Sequence, residues 1–145
     1  AVLGDRLTGE ALAAAQRRVE IVRADLERDQ LGLDAARHAA LVGRTVGVIH
    51  GAASVSFALP LAQARAINVE GTRKMLDLAR AAGCPLDYVG TAYVAGDRTG
   101  TARETELDVG QAFHNTYEQT KLEAEALVRA RAQEQPAAIY RPSII

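Results

Sequence analysis

TVGVIHGAA, residues 45–53, is a near-continuous apolar run that breaks into small residues. Such a run suits a buried parallel strand entering a loop. Its surroundings alternate between strand and helix patterns. Upstream, LTGEALAAAQRR (7–18) sets a threonine and an early glutamate before an Ala-rich run, the mark of a capped helix. VEIVRAD (19–25) alternates and is β-branched, which predicts a strand. LDAARHAALVG (33–43) has a possible cap in Asp34 and a helix stop in Gly43.

Downstream, PLAQARAINVEGTRKMLDLARAAG (60–83) predicts a long helix, opened by Pro60 in its first turn and closed by Gly83. LDYVGTAY (86–93) is another strand, and residues 95–111 form a polar, glycine-containing loop of a length that often carries function. AFHNTYEQTKLEAEALVRARAQEQ (112–135) is a helix halted by Pro136, and AAIYRP (137–142) is the final strand. Alternation of this kind implies right-handed βαβ crossovers and a parallel sheet covered on both faces, the α/β class. Ligands of such sheets sit beyond the carboxyl ends of the strands. The places to inspect are therefore Asp25, the pair Ala52 and Ala53, Thr91, and the pair Arg141 and Pro142.

The bulk numbers narrow the function classes. The 145 residues make one domain's worth of chain, 48% of it hydrophobic. A net charge of −1 leaves no electrostatic footprint for nucleic acid or an anionic membrane. No apolar run reaches the roughly 18 to 20 residues of a membrane span, and no signal peptide is visible. Cys84 is the single cysteine, which fits a reducing, cytoplasmic compartment. His50 and His114 have no partners at metal-ligand spacing and read as structural or solvated. The run AAIYRPSII stops at Ile145 without a turn or polar tail, so the chain reads as an internal fragment.

Within HNTYEQTKLEAEALV (114–128), Tyr117 and Lys121 lie four apart on the helix and share one face. A free tyrosine, with a pKa near 10, exchanges protons poorly at neutrality. A neighbouring ammonium favours the phenolate, and its three donors can also hold a sugar diol. A hydroxyl at a strand end, Thr91, could fix the substrate oxygen. Tyr-x-x-x-Lys alone is a weak signal that a solvated helix face would also satisfy.

The company of that motif changes its weight. HNTYEQTKLEAE, with YVGTAYVAG, IHGAASVSF and NVEGTRKMLDLA before it and YRPSII after it, resembles the extended short-chain dehydrogenase/reductases. More narrowly it is similar to the male sterility type branch of thioester reductase domains and fatty acyl-CoA reductases. The resemblance covers about Val19 to Ile145 in the right order. It implies a Rossmann-type doubly wound parallel sheet and an NAD(P)-binding domain across residues 1–145, with no second domain in the chain.

The resemblance also assigns roles. Asp25 and Leu26 match the Asp-Leu pair whose carboxylate accepts from the adenine amino group. Ala52 and Ala53 match the small pair that lets a dinucleotide approach the backbone, as small side chains permit. Thr91, Tyr117 and Lys121 match the catalytic set: carbonyl hydrogen-bond donor, proton donor, and partner on the nicotinamide ribose. Pro142, Ser143 and Ile144 match the segment running past the nicotinamide ring, where Arg141 reads as a strand-end charge. Asn68 matches a buried polar organiser, on balance structural. Phe57 borders the substrate or packs the core, with equal weight.

The departures are as informative. The glycine-rich phosphate loop is absent, and LGDRLTGEAL has neither its spacing nor a preceding strand. The first strand and this loop are expected upstream of Ala1, making the Rossmann domain incomplete. Gly90 stands where the family often has serine. The implied activity is NADP(H)-dependent reduction of a small-molecule or carrier-bound acyl thioester to aldehyde or alcohol, with NAD(H) left open and fusion to adenylation or carrier domains possible. Two alternatives share the fold: a sugar-nucleotide epimerase or dehydratase, and a non-catalytic dinucleotide-fold binding domain. The isolated fragment is expected to be inactive.

Overall fold

The computed structural model describes residues 9–143. In chain order it holds α1 (Gly9–Arg17), α2 (Ala35–Arg44), β1 (Val48–His50), α3 (Leu61–Arg65), α4 (Gly71–Ala82), β2 (Leu86–Val89), α5 (Thr116–Arg131) and β3 (Ala137–Tyr140). A π-helical turn (Ala66–Glu70) joins α3 to α4, and 3-10 turns lie at Asp29–Gly32 and Ala92–Ala95. The strands form one parallel sheet in the order β1-β2-β3, with His50 opposite Tyr88 and Val89 opposite Tyr140.

One face of this sheet carries the core. Val48, Leu86 and Tyr88 point into it and meet Leu76, Leu78 and Ala79 of α4 and Ala124 and Val128 of α5. On the opposite face Ile49 remains 79% and Tyr140 54% exposed. The expectation of a sheet covered on both faces is therefore not met among the described residues. The strand order supplies the reason: it advances without reversing, so two crossovers of the same hand deposit both helices on one side.

The segment Val19–Asp25, expected as a strand, forms no strand. A strand forms only where its N–H and C=O groups find a ladder partner, and none of the three described strands lies beside it. Two turn expectations need smaller corrections. The 86–93 strand ends at Val89, and Ala92–Ala95 coils into a 3-10 turn. Gly43 lies inside α2, which runs on to Arg44.

The helix starts follow the capping signals. Asp34 caps α2, its Oδ1 accepting from Arg37 N at 2.8 Å. Asn115 caps α5 by accepting from Glu118 N at 2.9 Å, and the Glu118 carboxylate reaches back to His114 N at 2.9 Å. This reciprocal arrangement satisfies N–H groups that a helix start leaves orphaned. Gly83 closes α4 with φ +64°, a conformation glycine adopts without penalty. Among the described residues no helix is long and apolar enough to cross a membrane.

Candidate active site

The carboxyl ends of β2 and β3 and the first two turns of α5 meet at one rim. Lys121 is 4% exposed on the inner face of α5. Its Nζ donates to Val89 O at 2.9 Å and stands 4.4 Å from the centroid of the Tyr88 ring. Burial lowers its pKa to about 8, opposed by the Glu125 carboxylate, which favours the charged form. One turn earlier on α5, Tyr117 is half-buried. Its ring packs against Phe57, centroids 5.6 Å apart and tilted 39°. Phe57 is 56% exposed, so it borders this rim and is not part of the core.

Thr91 follows β2 by two residues and is 6% exposed. Its Oγ1 accepts from Tyr93 N at 3.2 Å, which leaves its own proton available to a further acceptor. Thr91, Ala92, Tyr93 and Ser143 line a cavity of about 250 Å3. Pro142 O accepts from Ala92 N at 3.0 Å, which ties the segment after β3 to this wall. Ile144 lies outside the described residues.

Gly90 sits in a tight place between these groups. A Cβ there would lie 3.1 Å from Tyr140 O and 3.6 Å from Glu125 Oε2. Glycine is the residue that lets β2 and β3 approach this closely, and Gly90 N donates to Tyr140 O at 2.7 Å.

Asp25, Leu26 and Ala52 occupy a different cleft, of about 840 Å3, shared with Ile67 and Met75. Asp25 is exposed, one carboxylate oxygen accepting from Glu27 N at 2.9 Å. Leu26 docks its turn on α4: its carbonyl accepts from Lys74 Nζ at 2.9 Å, and a Cβ on Gly71 would lie 3.3 Å from Leu26 Cβ. The exposed Asp25 carboxylate and the Ala24 and Ala52 methyls line one cleft that could hold part of a dinucleotide. Ala52 and Ala53 add no bulk where a ligand would approach β1. The cleft and the Thr91 cavity have no lining residue in common.

Asn68 connects the two regions. It is 2% exposed in the π turn, and every donor and acceptor of its amide is engaged. Oδ1 accepts from Ser54 N at 2.8 Å, and Nδ2 donates to Ser54 O at 3.1 Å and Thr120 Oγ1 at 3.0 Å. It thus clamps the loop after Ala53 to α5. Its neighbour Thr72 donates to Asn68 O at 2.7 Å, which leaves Thr72 Oγ1 to accept from His50 Nε2 at 3.0 Å. Burial, helped by the Lys121 charge, pushes the His50 pKa down to about 4. His50 is a neutral structural histidine.

Arg141 is more than a strand-end charge. Its guanidinium grips Glu125 twice, Nε to Oε2 at 2.9 Å and Nη2 to Oε1 at 2.7 Å, and donates to Glu106 O at 2.8 Å. Arg129 Nε joins the same carboxylate at 2.9 Å and its Nη2 donates to Glu104 O. Glu125 is fully buried. This cluster fastens α5, the end of β3 and the loop before α5 together. It was not visible in the chain, because Glu125 and Arg141 read as ordinary surface charges until folding places them together. Glu118 had a readable signal, the Asn-x-x-Glu spacing that starts α5.

Comparison with known proteins identifies the family. The male sterility protein family model matches residues 2–145. Glycine betaine reductase of Emericella nidulans is 39% identical over 117 residues, which cover 77% of this chain and 9% of that protein. The fatty acyl-CoA reductase wat of Drosophila melanogaster is 27% identical over 154 residues, 88% of this chain and 30% of that protein. Among solved structures, the terminal R domain from the myxalamid PKS-NRPS biosynthetic pathway superposes with a TM-score of 0.83 at 37% identity, over 94% of this chain and 35% of that one. The chain therefore spans between about a tenth and a third of the length of these proteins.

Proposed function

The chain belongs to the male sterility protein family, and from that premise we propose that its parent protein reduces an acyl thioester with a reduced nicotinamide dinucleotide. Residues 1–145 would form part of its NAD(P)-binding Rossmann domain. The observation that carries the reading is the placing of Tyr117 and Lys121 one turn apart on the inner face of α5, with Lys121 bonded to the strand that leads into Thr91.

The cofactor would rest along the carboxyl ends of the strands, with Asp25 and Leu26 at its adenine, Ala52 and Ala53 beneath it, and Pro142, Ser143 and Ile144 beside the nicotinamide. When bound, the reduced nicotinamide supplies hydride to the carbonyl carbon. Thr91 and Tyr117 donate hydrogen bonds to the carbonyl oxygen as it gains charge, the electrostatic stabilisation that carries much of such catalysis. Tyr117 passes its proton to that oxygen. Lys121 holds the ribose hydroxyls and adds a positive charge near the phenol. The hemithioacetal then collapses to aldehyde and thiol, and a second reduction would give the alcohol.

The names of similar proteins, a fatty acyl-CoA reductase and an R domain of a PKS-NRPS pathway, favour CoA or carrier-bound thioesters over nucleotide sugars. NADP(H) is the cofactor we propose, a cytoplasmic location suits the lone cysteine, and adenylation or carrier domains are natural fusion partners. Tyr117→Phe in the full-length protein tests the reading. Thioester reduction should be abolished while the dinucleotide still binds with nearly unchanged affinity. Retained turnover overturns the assignment.

A further inference from the structure

We infer that Tyr88 is a positioning residue for Lys121, its ring face forming the seat that keeps the buried ammonium charged and aimed at the rim. Its catalytic consequence rests on the role proposed for Lys121, whereas the seat itself rests on geometry.

Lys121 Nζ has three N–H groups to satisfy, and Val89 O takes one of them. The Tyr88 ring lies beneath the ammonium at 4.4 Å and is fully buried, the desolvated setting in which a cation gains most from an aromatic face. The ring is held rigidly. It belongs to the central strand of the three, and the His50 ring packs against it with centroids 5.8 Å apart.

The hydroxyl is not what the site uses. Tyr88 Oη is buried with no close hydrogen bond, and Thr72 Oγ1, its own proton given to Asn68 O, lies near enough to act on it as an acceptor. The ring face, and not the hydroxyl, is what meets the ammonium.

The other ionisable neighbours do not make the ring redundant. Glu125, on α5, favours the ammonium but is already shared between Arg129 and Arg141. His50, on β1, is neutral above about pH 4. Tyr117, on α5, lies near enough to raise the Tyr88 pKa, as does Glu125, and both act after the larger effect of burial. With burial pulling Lys121 toward neutrality, the ring face acts beside Val89 O and the shared Glu125 carboxylate in favouring its charge.

The test is a titration of Lys121 in the full-length protein carrying 13Cε-labelled lysine, with the resonance assigned by Lys121→Arg. Tyr88→Phe keeps the face and should leave the Lys121 pKa where it is. Fluorinated phenylalanines at position 88 keep the shape but drain the ring's negative face. They should lower the pKa stepwise, raising the neutral fraction near neutrality about threefold to tenfold at full fluorination. Tyr88→Leu should give a similar fall, and because the fluorinated series conserves volume, a Leu variant that failed to fold would not weaken the test.

A pKa flat across the fluorinated series overturns the inference. So does a Tyr88→Phe variant that falls as far as the fluorinated ones, since the hydroxyl would then be the active part. The reading is independent of turnover: if the Lys121 pKa moves and the pH profile of kcat does not, the seat stands and the catalytic role of Lys121 falls.

Discussion

Lys121 Nζ donates to Val89 O at 2.9 Å, two residues before Thr91. This bond joins the helix that carries Tyr117 to the strand that leads into Thr91. Displacement of α5 along β2 would cost Lys121 its partner in a dry site. The first turns of α5 and the end of β2 are thus held in register by a third group.

Asn68→Ala should destabilise the protein by about 2–4 kcal/mol, because Ser54 N loses its acceptor and Ser54 O and Thr120 Oγ1 lose a donor in a buried place. Urea unfolding measures it, read as a lower midpoint at unchanged slope. A loss below about 0.5 kcal/mol would mean that the amide clamps nothing.

His50 makes a prediction about acid. Its folded pKa is depressed to about 4, while the unfolded chain titrates near its ordinary value of 6.5. Between these limits the unfolded state binds the extra proton, so stability is full above about pH 6.5 and falls as pH drops towards 4. His50→Gln should flatten that limb, removing on the order of 3 kcal/mol of the fall. Thermal unfolding of both proteins between pH 4 and 7 decides it, and parallel curves would show that His50 is not the group responsible.

Glu125→Ala should cost about 3–5 kcal/mol, since Arg141 and Arg129 lose a shared, fully buried carboxylate. Arg129→Ala leaves Glu125 paired with Arg141 and should cost distinctly less. Chemical denaturation of the two variants gives the order, and equal losses would contradict it.

Gly96 combines φ +59° with a backbone contact that no side chain can share: a Cβ would fall 2.2 Å from Ala112 O. Gly96→Ala should therefore destabilise by more than about 2 kcal/mol. It should also disturb the Asp97 N to Ala112 O bond that closes the loop. Full amide protection of Asp97 in the variant would argue against this.

The legible parts of the chain were those written in local spacing. Asp34 as a cap, Gly83 as a stop and the Tyr117–Lys121 face follow from helix periodicity, and the structure presents each of them so. Val19–Asp25 had the right pattern for a strand, but pairing is decided by what lies alongside, and alternation cannot report that. The Tyr88–Lys121 and Glu125–Arg141 contacts join residues 33 and 16 positions apart in sequence, with no local signal at either end. Asn68 was readable as a poor helix former, though the turn it occupies was not.

That turn sets a constraint on length. Ala64, Asn68, Thr72 and Leu76 are all buried, four residues apart each time. On an ideal α-helix such a row would wander about 40° per step. The wider coil at Ala66–Glu70 takes up this drift and keeps the row aimed at α5 and the sheet. Losing one residue there would let the coil tighten to α geometry, keeping Ala64 and Thr72 on one face but moving Asn68 about 60° off the row. Between Pro60 and Gly83, the number of residues is as much a part of the design as their chemistry.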